Sequence, residues 1–322
     1  MKLMLKRCLA GCWLGLSLFL SAGLAEDHEA GGPEVIKHRT NPHRTAAVPK
    51  GSTGVVTPSI AYHGGALIQN PIIYYIWYGN WNQSNSSDTP GGQDILRHFA
   101  RSIGTSDYFK INSTYCVDGT YPCPSFPGAA SFGGETTDAY SYGKKLKDSS
   151  ILNIVNNAIK NGKLPYDING VYFVLTSSDV SELSGFCNLY CGWHTAATPS
   201  AGHIRYSFVG NANRCLNACS IQTVSPNGNP GVDAMVSIIA HELEEATTDA
   251  DPRSGWVDSK GAENADKCAW TFGQALQTAP NGSLFNVTLT NPQTTESRNY
   301  LIQRNLKHSA SGDTCNMDLT KQ

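Results

Sequence analysis

Asp233–Ala246 reads DAMVSIIAHELEEA. Met235, Ile238, Ile239 and Leu243 recur at three- and four-residue spacings, so they share one side of an α-helix. Pro230 stands just ahead, where a fixed φ and a missing N–H suit a first turn. Val236 to Ala240 are almost wholly apolar, so the helix reaches His241 from a buried position. His241 and Glu245 are four apart, fall on one face and can reach a single cation. Glu242 projects beside them, in the place of the general base of an H-E-x-x-H metallopeptidase. Glu245 replaces the second histidine of that motif, and a carboxylate oxygen still binds zinc, at about 2.0–2.2 Å.

A dense polar segment follows the helix: Thr248-Asp249-Ala250-Asp251-Pro252, then Gly255-Trp256-Val257-Asp258, then Glu263-Asn264-Ala265-Asp266-Lys267-Cys268. Glu263 or Asp266 is the expected third zinc ligand, and the other an acceptor that orients His241 through its free ring nitrogen. Calcium is the alternative cation, held through oxygens of Asp249, Asp251, Asp258 and Glu263. His194, in Cys191-Gly192-Trp193-His194, is either a further ligand or a structural histidine, with the structural role favoured. The bland alternative is a satisfied core His241 beside solvated acids.

Outward from the helix, Ile72–Tyr78 is β-branched and aromatic and reads as a buried strand. Gly170–Thr176 and Ile204–Val209 are further strands, and Tyr300–Gln303 a late one. Gln93–Ile103 and Ser149–Asn161 read as helices, the second carrying Ile151, Leu152, Val155, Ala158 and Ile159 on one stripe. No composition break appears between residues 56 and 315. The expectation is one α+β domain over 56–322, zincin-like, with a mixed sheet and a metal-site helix.

Residues 1–25 (MKLMLKRCLAGCWLGLSLFLSAGLA) have the short basic start, apolar run and small-residue end of a secretory signal peptide. The run is too short for a membrane anchor. Residues 26–55, polar and rich in Pro and Gly, read as an unpacked leader or propeptide. Removing the signal takes the basic count from 24 to 21 against 26 acids, 21 − 26 = −5. That balance excludes a nucleic-acid binder working through a general basic field. No later segment is expected to span a membrane. Charged residues are 16% of the chain and hydrophobic ones 40%, which excludes disorder along the whole length.

Ten cysteines less Cys8 and Cys12 leave eight, which in an exported chain read as up to four disulfides. Cys116–Cys123 and Cys268–Cys315 are the expected outer pairs, and Cys187, Cys191, Cys215 and Cys219 permit three pairings. The two C-x3-C spacings leave a cysteine–zinc site as a rival. N-x-S/T sequons at Asn82, Asn85, Asn112, Asn281 and Asn286 suit a surface exposed outside the cell. No G-x-S-x-G elbow, Walker loop or G-x-G-x-x-G occurs.

From Ala61 to Cys315 the chain resembles the EXORDIUM, or phosphate-induced, family of secreted plant proteins. Tyr62-His63-Gly64-Gly65, Ile76-Trp77-Tyr78-Gly79, Gly185-Phe186-Cys187, Cys191-Gly192-Trp193-His194 and Val209-Gly210-Asn211 carry the resemblance. So do Pro226-Asn227-Gly228, Gly231-Val232-Asp233, the His241 helix with its H-E-x-x-E pattern, Glu263, Ala265, Asp266, Cys268 and Cys315. The resemblance implies an extracellular fold and a growth-promoting class of protein without an established reaction. The residues themselves point to a secreted zinc metallohydrolase, a peptidase acting on protein or peptide outside the cell. In it His241, Glu245 and Glu263 or Asp266 hold the ion and Glu242 takes the proton from bound water. The alternative is a non-catalytic extracellular signalling or wall-associated protein.

Overall fold

The computed structural model describes residues 34–37, 50–116, 118 and 129–320. The signal peptide and most of the leader fall outside them, as does Cys123 of the expected Cys116–Cys123 pair.

Six strands form the main sheet: β1 (Glu34–Lys37), β2 (Ile72–Tyr78), β3 (Ser131–Asp138), β4 (Gly170–Thr176), β5 (Tyr190–Ala197) and β6 (Ile204–Gly210). Their spatial order is β1-β5-β6-β4-β2-β3. The neighbours β3, β2, β4 and β6 run parallel, and β5 is antiparallel to both β6 and β1. The sheet is therefore mixed, in an α+β protein. Parallel strands are covered on both faces and so lose the in–out alternation of exposed sheets. That explains Ile73–Tyr78 and Gly170–Thr176, buried without a break.

Helices α1 (Pro90–Ser102), α2 (Asp148–Lys160) and α3 (Pro230–Thr248) lie against this sheet. Thr89 caps α1 by accepting from the Gly92 N–H, with Pro90 in its first turn. Asn229 caps α3 by accepting from the Val232 N–H, with Pro230 following. Every residue of α3 from Gly231 to Thr248 is buried. Val232, Met235, Val236, Ile238, Ile239 and Leu243 are within 1% of full burial, each contributing about 1.5–3 kcal/mol. This helix packs on α1 and across β5 and β6, and is the axis of the core.

Two expectations shift. Glu34–Lys37, inside the segment read as an unpacked leader, pairs with β5, Glu34 opposite His194; Val35 and Ile36 are the β-branched residues there. The late strand is Ser297–Tyr300, paired with Val287–Thr290, and ends where the sequence reading begins it. Beyond Tyr300 the backbone N–H groups of Ile302 and Gln303 go to the side chains of Asn286 and Ser237, so no ladder continues.

Among the described residues, three disulfides fix the periphery: Cys187–Cys215, Cys191–Cys219 and Cys268–Cys315. The first two staple β5 and its approach to the Cys215–Cys219 turn, and the third ties the C-terminal strand to the polar segment after α3. The two C-x3-C pairs are thus committed to disulfides, which removes the cysteine–zinc alternative. Among the described residues, no helix is long and apolar enough to cross a membrane.

Candidate metal centre

The far half of α3, the strand β5 and the 258–268 segment meet beneath the sheet. The helix supplies His241, Glu242, Glu244 and Glu245, all buried. β5 supplies His194, held in register opposite Ser207 of β6. The third element is shaped by Asp258, which accepts from the N–H groups of Lys260 and Ala262 and pairs with the Lys267 ammonium. Cys268–Cys315 anchors its end. Glu263 and Asp266 project from the loop so formed.

Among the described residues this gives two groups of three side chains able to hold a metal, each with its donor atoms within 4.8 Å of one another: His194, Glu245 and Glu263, and His241, Glu245 and Asp266. His241 Nε2 lies 2.9 Å from Glu245 Oε1 and 3.7 Å from Asp266 Oδ1. His194 Nε2 lies 3.1 Å from Glu263 Oε2 and 3.7 Å from Glu245 Oε2. The Asp266 N–H donates to Glu245 Oε1, which fixes that carboxylate on the loop.

Burial dominates the electrostatics. It pushes the His194 imidazole down to about 3, with His241 adding to the shift. Burial also opposes charge on His241, but Glu245, Asp266 and Glu242 outweigh it and hold that imidazole well above its ordinary value. Burial and Asp266 raise Glu245 to about 7. Buried charges of this kind are costly unless paired or bound to a cation.

His241 Nε2 and Glu245 Oε1 are 2.9 Å apart, but their alignment falls short of a regular hydrogen bond. One imidazole and two carboxylate oxygens is a donor set that suits zinc and its first-row neighbours.

His241, Glu245 and Asp266 are thus brought together as the sequence spacing suggests. Glu263 is not with them: it sits on the His194 side, so His194 is a member of the cluster. Glu242 faces β5, where a Cβ added at Gly192 would come within 3.3 Å of its Oε1. Of the oxygens proposed for calcium, those of Asp251 and Asp258 are engaged elsewhere, while Asp249 and Glu263 are neighbours. Asp251 pairs with His203 at 2.8 Å and Arg205 at 3.1 Å, and Asp258 with Lys267. Asp249 accepts from the Ser254 N–H and hydrogen-bonds Glu263.

Sequence reasoning missed Glu244, Asn112 and Asn305. The Asn305 amide donates to the Glu244 carboxylate at 2.8 Å, and the Asn112 amide donates to the same oxygen. A third glutamate, Glu244, on a helix buried from Gly231 to Thr248 was the available signal.

Residues 60–316 match the model of the phosphate-induced protein 1 conserved region. Protein EXORDIUM-like 3 of Arabidopsis thaliana is 30% identical over 268 residues, covering 74% of this chain and 76% of that protein. Protein EXORDIUM-like 5 of the same plant is 32% identical over 228 residues, or 62% of this chain and 59% of that protein. No solved structure matches, so the zincin-like element of the expected fold finds no counterpart there. With most of its length matched, the chain belongs to the phosphate-induced protein 1 family, alongside the EXORDIUM-like proteins.

Proposed function

We propose that this is an extracellular, non-catalytic protein of the EXORDIUM type in which His241, Glu245 and Asp266 hold a divalent ion, zinc by preference, as part of the folded core. The ion joins the end of α3 to the 263–268 loop. One observation carries the reading: His241 and Glu245 are each at most 1% exposed, and only Asp266, whose side chain is 22% exposed, touches solvent. Little of such a centre is open to a peptide carbonyl. The disulfides agree with an oxidising compartment, and the signal-like N-terminus with export.

The second reading is the zinc peptidase, a zincin-like hydrolase with Glu242 as base. The H-E-x-x-E order and the solvent-facing Asp266 favour it. Elemental analysis of the mature protein, thermal melts with and without chelator, and a peptide-library assay of wild type and Glu242→Gln separate the two. Bound metal, a chelator-lowered melting temperature and no cleavage support the structural centre. Cleavage that falls about 10²–10⁴-fold in Glu242→Gln, the usual cost of losing a general base, establishes the peptidase instead. Absence of metal from the protein and from its zinc-reconstituted form overturns both.

A further inference from the structure

We propose that the centre holds two divalent cations bridged by the Glu245 carboxylate, an inference that rests on the metal reading above and extends it. Glu245 divides its oxygens between the two histidines: Oε1 lies toward His241, Oε2 toward His194. Each half is a complete three-donor group, His241–Glu245–Asp266 on one side and His194–Glu245–Glu263 on the other. Zinc–ligand bonds of about 2.0–2.2 Å keep any two ligands of one ion within about 4.4 Å. The donor atoms of each group fall within 4.8 Å, close to that limit, but the two histidines do not join in one such group. One ion therefore serves one half only. Bridged two-metal sites place their ions about 3.5–4 Å apart, a span that a single carboxylate covers with one oxygen on each.

The carboxyl groups suffice for two ions: Glu245, Glu263 and Asp266 supply the donor oxygens, and Glu242 is buried on the same helix as Glu245. Glu244 stands apart, held by two side-chain amides, and Asp249 accepts from the Ser254 N–H. His194 Nδ1 and His241 Nδ1, both buried, make no hydrogen bond, so neither ring is held by a partner on its far side and the carboxylates at Nε2 are what orient them.

The test is stoichiometry. Full-length mature protein is stripped with chelator, reconstituted with zinc or with manganese(II), and counted by elemental analysis. Two ions per chain are expected, and manganese(II) should give the spectrum of a spin-coupled pair in electron paramagnetic resonance. His194→Ala should reduce the count from two to one and abolish the coupling, while His241→Ala removes the other ion. Glu263→Gln, which keeps shape and burial, replaces His194→Ala if that variant does not fold. One ion in wild type, or uncoupled manganese, overturns the bridged pair and leaves the single-ion structural centre standing. No ion overturns both.

Discussion

Asn112 donates its side-chain amide to Glu244, a carboxyl group fully buried on the central helix. Asn305 donates to the same oxygen. Burial raises Glu244 well above its ordinary value, and the two amides work in the opposite direction. Asn112→Ala leaves that carboxyl with one donor fewer in a dry environment. A loss of about 1–3 kcal/mol is expected, read as a lower denaturant midpoint with an unchanged slope.

The same contact decides how the sequons are used. Asn112 heads an N-x-T sequence, which the sequence reading takes as surface, yet its side chain is buried and engaged. Asn85, Asn281 and Asn286 also commit their amides to internal acceptors. Asn82 is exposed, and among the described contacts only its backbone N–H is bonded. Expressed through a eukaryotic secretory pathway, the protein should carry glycan at Asn82 and none at Asn112. Glycopeptide mass spectrometry checks this, and glycan on Asn112 of folded protein would contradict the buried contact.

Non-reducing peptide mapping should recover Cys187–Cys215 and Cys191–Cys219, with no Cys187–Cys191 or Cys215–Cys219 product. Both bridges have a sequence separation of 28, for which loop closure predicts about 3.5 kcal/mol for either bridge alone. With Cys187–Cys215 intact, Cys191–Cys219 closes a much shorter ring, so the Cys191→Ser, Cys219→Ser pair should lower stability by about 2–3 kcal/mol. A loss near zero would mean that this bridge does not constrain the unfolded chain.

The elements legible in sequence are those whose burial is uniform or periodic. Ile72–Tyr78 and Gly170–Thr176 coincide with strands, because both faces of a parallel strand select the same β-branched and aromatic residues. The α3 helix extends the expected Asp233–Ala246 by three residues at its start and two at its end, since the Asn229 cap and Pro230 begin it early. β5 was not legible as a strand. Its sequence, YCGWHTAA, mixes the strand-favouring Tyr, Trp and Thr with Gly192 and two alanines, which strands disfavour, so no clear run stands out. β3, SFGGETTD, has two glycines and lies at an edge, where burial imposes little pattern. His241 and Glu245 were found because a helix fixes their spacing. The placement of Glu263 with His194 depends on how a loop folds against a strand 69 positions away, which no local spacing encodes.

Acid sensitivity should have one identifiable source in Asp179. Burial disfavours its charge, but Lys144, Ser177 and Tyr140 outweigh that and lower it from 3.8 to about 2. The Lys144 ammonium sits 2.7 Å away and the Tyr140 hydroxyl donates at 2.8 Å. With the folded value depressed, its stabilisation is present above the unfolded value near 4 and is lost as pH falls towards 2. Asp179→Asn should flatten the stability profile in that window and leave the profile above pH 5 unchanged in shape. Urea midpoints measured at half-unit intervals check it.

Gly192 sets how closely the helix bearing His241 approaches the sheet. A Cβ at this position would lie 2.5 Å from Ile238 Cγ2, 3.0 Å from the Phe208 carbonyl oxygen and 3.3 Å from Glu242 Oε1. The backbone oxygen cannot move without breaking the β5–β6 ladder, so the helix must give way. Gly192→Ala should therefore destabilise by about 1–3 kcal/mol, the usual cost of overpacking. Ile238→Ala opens a cavity and costs about 2–5 kcal/mol alone. Combined, the two should cost less than the sum, since the alanine methyl enters space that Ile238 has left, and contacting residues couple by about 0.5–3 kcal/mol. A double-mutant cycle in urea measures that coupling. Metal affinity of Gly192→Ala should fall with stability, because a helix pushed off β5 carries His241 and Glu245 away from His194. Additive losses, or an unperturbed Gly192→Ala, would show that α3 does not rest on β5 at this point.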